Sequence, residues 1–116
     1  MAEGAEATAA AFAMLAKEAC AEVAKPEWWN DEGLKALSAR VVRAAPDVLG
    51  ANQMRALVLA GQSSSWEVGS RSAAELREAA AHFERAAALC PAPAAKAELA
   101  EFADLCRSLA RAVCEQ

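Results

Sequence analysis

The chain has 116 residues, 56% of them hydrophobic, and 34 of these are alanine, so one domain is expected, with a core in which helices approach closely on small side chains. Tyrosine and isoleucine are absent and other β-branched residues are few, which argues against a sheet. The net charge of −4 comes from acids and bases interleaved along the chain, and the longest apolar stretches, such as Ala7 to Ala16, fall short of the roughly 20 residues a membrane span needs; neither nucleic acid nor a membrane span is expected.

Apolar positions counted against a 3.6-residue period, with breaks at proline, glycine and serine, predict five helices. The first covers about Glu6 to Ala24, with Phe12, Leu15, Ala16, Ala19 and Val23 on one face and Pro26 ending it. Glu3 and Glu6 stand where a secretion signal would carry basic residues, so residues 5–16 read as helix. Asn30 is expected to cap the second helix, whose first turn carries Asp31 and Glu32 and whose buried face is Leu34, Leu37, Val41 and Val42. Pro46 stops it. Asp47 is expected to start the third, which holds Ala51, Met54, Leu57 and Val58 and closes at Gly61.

Residues 62–72, QSSSWEVGSRS, read as the one long loop. Ser72 and Glu75 then have capping-box spacing, and Leu76, Ala79, Ala80, Phe83, Ala86, Ala87 and Cys90 recur at three and four up to Pro91. The last helix is expected from about Ala94 to Val113. Its inward seam is Leu99, Phe102, Cys106, Leu109 and Val113, and its outward face is polar, with Lys96, Glu101, Asp104, Arg107, Ser108 and Arg111.

Ala79, Phe83, Ala86 and Pro91 reproduce the A-x3-F-x2-A-x4-P spacing of the second helix of a tetratricopeptide repeat, and the chain resembles that family over most of residues 6–113. The resemblance implies an all-α, single-domain chain of antiparallel helix-turn-helix hairpins: hairpin one about 6–45, hairpin two about 47–90, and a C-terminal capping helix about 94–113. It departs from the family in the QSSSWEVGSRS loop, which lengthens the second hairpin, and in Met54, Arg55 and Val58 near the positions of the usual Leu-Gly pair and tyrosine. The stretch from Trp66 to Arg107 is also similar to a segment of proteins of unicellular algae, a likeness that implies no function.

Tetratricopeptide-like domains bind peptides in the groove lined by the first helix of each hairpin, some through a lysine and asparagine four apart that clamp a carboxylate. Asn52 and Arg55 lie on the matching helix but three apart, and Lys96 has Ala100 where a basic partner would stand, so solvated surface polarity is the plainer expectation for them. Trp28 and Trp29 directly precede a helix cap, where the plain expectation is a staple, one ring packing onto the helix it introduces; adjacent rings cannot easily both face inward, and an exposed one would suit an interface anchor. Trp66 and Arg71 sit in the long loop, either reaching for a partner or folded back over helix ends. The partner-binding candidates are therefore Asn52, Arg55, Trp66, Arg71 and Trp28.

His82 has Glu78 four residues before it, a pairing expected to favour the charged imidazole, but no nucleophile stands beside it, so no catalytic residue is assigned. Cys20, Cys90, Cys106 and Cys114 could form two disulfides; free thiols in the cytoplasm or another reducing intracellular compartment are the simpler expectation, and neither a metal site nor a cofactor is expected. A non-enzymatic module that binds a peptide or partner protein is the function these features favour. A structural subunit of a larger assembly is the alternative, with a small-molecule carrier behind it.

Overall fold

A computed structural model describes residues 27–61 and 66–114. The helix expected over Glu6 to Ala24, and with it half of the first hairpin, lies outside the described residues. Within them the chain is all-helical, with no strand and four helices: α1 (Asp31–Ala44), α2 (Leu49–Ala60), α3 (Ala73–Leu89) and α4 (Pro93–Cys114).

Asn30 caps α1 as expected: its backbone is extended, its side-chain oxygen accepts from the Gly33 N–H at 2.8 Å, and its amide donates to the Glu27 carbonyl. Gly33 is required here by a close approach, since a Cβ would overlap the Trp28 carbonyl oxygen. The buried face is Leu34, Leu37, Ser38 and Val41, with Val42 only half-buried. The next helix starts later than expected. Val48, not Asp47, occupies the capping position of α2 and offers no side-chain bond; Asp47 instead pairs with Arg85 of α3. Gly61 closes α2 in the left-handed region at φ 65°, a conformation that suits glycine, and a Cβ there would meet Val68 at 2.8 Å.

Both halves of the Ser72–Glu75 capping box form: the hydroxyl accepts from the Glu75 N–H at 3.1 Å and the Ser72 N–H donates to the Glu75 carboxylate at 2.9 Å. α3 ends at Leu89 before Pro91, and α4 begins at Pro93, where a missing N–H costs nothing.

The helices stack in chain order, α1 on α2, α2 on α3 and α3 on α4. Leu37 and Val41 pack with Ala51 and Met54 between the first two, while Ala56, Leu59, Ala79, Ala80, Phe83, Ala86, Leu99, Ala103 and Cys106 form the larger core of the last three. α4 is rotated relative to the seam expected from its sequence. Leu99, Ala103, Cys106 and Ala110 face inward; Phe102 and Val113 are exposed and Leu109 is half-buried. The cause is the alanine content of the facing helix surfaces: two helices come closest where both present small residues, so the alanines, not the larger side chains, sit at the contact. Phe102 still covers part of the core edge by stacking on Phe83, centroids 5.4 Å apart and planes 26° from parallel.

Candidate functional site

Five candidates were named from the sequence, and they fall into three places. Trp66 and Arg71 belong to one polar clasp. Arg71 grips Asp31, the first residue of α1, through two parallel bonds of 2.6 and 2.9 Å, and donates to the carbonyls of Val58 and Leu59 at the end of α2 and of Gly69 in its own loop. The Trp66 indole N–H donates to the same carboxylate at 3.0 Å, and its ring, 7% exposed, meets Trp29 edge-on at 6.3 Å. The described part of the loop is thus folded back over the helix ends. A carboxylate is suited to that position because it answers the partial positive charge of the α1 N-terminus as well as the guanidinium. Arg71 above all holds the Asp31 carboxyl well below the usual carboxylate range, against the opposing effect of burial. Lys35 lies 3.7 Å from Asp31 and 2.8 Å from Glu75, and its hydrogen bond lowers the Glu75 carboxyl too.

Asn52 and Arg55 lie in a second network, between α1, α2 and α3. Asn52 is not a solvated surface residue: it is 2% exposed and its amide donates to the carbonyls of Pro46 and Val48, securing the turn that lacks a capping side chain. Its remaining oxygen is paired with His82 Nδ1 at 3.0 Å, so that nitrogen carries the proton. Arg55 donates to the Lys35 carbonyl, to the Ser38 hydroxyl and to Glu78, which also stands 3.5 Å from His82 Nε2. Glu78 does favour the charged imidazole as expected, through its charge and a hydrogen bond, but it does not decide the outcome. Burial pulls the imidazole below its ordinary value, and Arg55 adds to this, outweighing Glu78. The reason lies in placement: the sequence shows the glutamate on the same helix but not the wall of α2 across from it.

Trp28 stands apart. It is 40% exposed, its ring 5.8 Å from that of Trp29, and of the two adjacent tryptophans it is the one left outward. Of the five candidates, then, only Trp28 offers a large apolar surface to a partner; the others are engaged within the chain.

Sequence reasoning missed an apolar flank on α4. Phe102 and Leu105, each 47% exposed, and Val113 lie with half-buried Leu109 at spacings of three, four and four, about a quarter-turn round the helix from the buried seam. The expected polar outward face is therefore only part of the exposed surface. Counting Leu105 into the 102–105–109–113 series would have revealed this second stripe. The thiols of Cys90, Cys106 and Cys114 are free, and burial raises the Cys106 thiol, keeping it protonated and inert. Among the described residues no helix is long and apolar enough to cross a membrane, and no group of histidine, cysteine and acidic side chains could hold a metal ion. No protein-family model, curated protein or solved structure matches the chain.

Proposed function

We propose that this domain is a protein-interaction module, with binding rather than catalysis as its task, and that it takes an amphipathic helix of a partner along the outer flank of α4. The observation that carries this is the run Phe102, Leu105, Leu109 and Val113, which leaves large side chains facing outward from the last helix of the stack. Apolar anchors at such intervals are what a helix-on-helix contact uses. Phe102 is already set in place by its stacking on Phe83, so little side-chain freedom is lost when a partner covers it. The burial of Ala79, Phe83 and Ala86 and the stacking of the helices in chain order support the tetratricopeptide-like reading. Trp28 is a further candidate anchor at the corner before α1.

A displayed library of helical peptides, selected on the whole chain, tests this. Sequences with apolar residues at i, i+3 or i+4, and i+7 are expected to be enriched, and Leu105→Glu should weaken their binding, followed by fluorescence anisotropy, by at least about ten-fold, or about 1.4 kcal/mol. Failure to enrich, or peptides indifferent to the substitution, would overturn the reading. The same flank could pair with a second copy, which favours the structural-subunit alternative. Sedimentation equilibrium separates the two: a concentration-dependent dimer abolished by Leu105→Glu selects the assembly, and a monomer at all concentrations selects the module.

A further inference from the structure

The opposite flank of α4 has a different character. Where its last two turns lie antiparallel to the first turns of α3, a cleft of about 320 Å³ is lined by Arg77, Arg107, Ala110, Arg111 and Cys114. That volume reaches the lower range of small-molecule sites, about 300–1,000 Å³. Three of the five lining residues are arginine in a chain whose net charge is −4. Arg107 is neutralised, since it pairs with Glu84 across the helix interface and with Asp104 at 2.8 Å. Arg77 and Arg111 are not: among the described residues no carboxylate lies within ion-pair distance of either, and their side chains donate only to the Cys114 sulfur at 3.7 Å and the Ser108 hydroxyl at 3.2 Å. Among the described residues, two guanidinium groups without a carboxylate partner thus share one concavity, lined also by the buried Ala110. The positive end of α3 and the negative end of α4 meet here and offset one another, which leaves the guanidinium groups to set the local sign.

We propose that this cleft binds a small organic anion carrying a carboxylate or phosphate group, gripped by Arg77 and Arg111 over Ala110 and lying against the Cys114 thiol. The planar guanidinium fork matches both head groups, through two parallel hydrogen bonds that a single ammonium cannot supply. Low-dielectric walls on either side strengthen the attraction relative to open solvent. This site is independent of the apolar flank, because helical geometry puts the two on opposite sides of the buried seam.

Cys114 supplies the probe. Iodoacetate and iodoacetamide alkylate the same thiolate and differ in charge, so the ratio of their rates reports the local potential and cancels the thiol's own acidity. The ratio at Cys114, read by mass spectrometry of its peptide in the whole folded chain, is expected to exceed that of the same thiol in the urea-unfolded chain by about three- to ten-fold, the lower reach of electrostatic focusing. Arg77→Gln and Arg111→Gln, both at exposed positions, should each reduce it, and together return it to the unfolded value. Millimolar phosphate or succinate, at ionic strength matched with chloride, should slow carboxymethylation of Cys114; which of the two protects better assigns the head group. A ratio equal to that of the unfolded chain, a ratio untouched by the substitutions, or protection by neither anion would each overturn the proposal.

Discussion

At the scale of single residues, His82 shows how a neighbour across an interface outweighs one along the helix. Its imidazole titrates below the ordinary histidine value, because burial against Asn52 and the charge of Arg55 both oppose protonation. The unfolded chain therefore binds the proton more readily than the folded one, and stability falls as pH drops below about 6.5, levelling off once the folded pKa is passed. The melting temperature measured from pH 7.5 to 5.5 should decline across this window, and His82→Gln should flatten the decline. A second loss follows at lower pH, below the ordinary carboxylate values, as Asp31 and Glu75 are protonated and leave Arg71 and Lys35. The Glu78–His82 spacing was legible in the sequence. The burial of Asn52 was not: a polar side chain on a helix surface looks solvated until the turn whose carbonyls it satisfies is known.

Among the elements, those announced by a local chemical signal were read well. The Asn30 cap, the Gly61 stop and the Ser72–Glu75 box each depend on residues within four positions of one another, and each is found where the sequence puts it. The facing of α4 depends on a partner helix, and there periodicity alone points to the larger side chains, whereas Ala103 and Ala110 make the contact. Two substitutions reverse in rank between these geometries. Ala103→Leu, at a fully buried contact, should destabilise by about 1–3 kcal/mol through overpacking, whereas Val113→Ala, at an exposed position, should change stability by less than about 0.5 kcal/mol. Urea denaturation of both variants measures this directly, and the opposite order would restore the seam of Phe102, Leu109 and Val113. The start of α2 was missed for a related reason: Asp47 has the right chemistry for a cap but is drawn to Arg85 on another helix.

For the molecule as a whole, composition foretold helices without strands, as the described residues show, and the stacking of neighbours follows from short connections at Pro46 and Pro91. What no local pattern foretold is the clasp joining Asp31 to Arg71, 40 positions apart, which fastens the loop across the ends of α1 and α2. Arg71→Ala should cost about 2–3 kcal/mol in a denaturation midpoint experiment, somewhat under the 3–5 kcal/mol of a fully buried pair, since Asp31 keeps Lys35 and the Trp66 indole. That corner also determines what light the molecule emits. All three tryptophans, Trp28, Trp29 and Trp66, gather there, tyrosine is absent, and α3 and α4 contain only the weakly emitting phenylalanines. Intrinsic fluorescence therefore watches the clasp alone, while circular dichroism averages over every helix. Superimposable melts from the two would mark a stack that unfolds as one unit, and an earlier loss of ellipticity would show α3 and α4 separating while the tryptophan corner still holds.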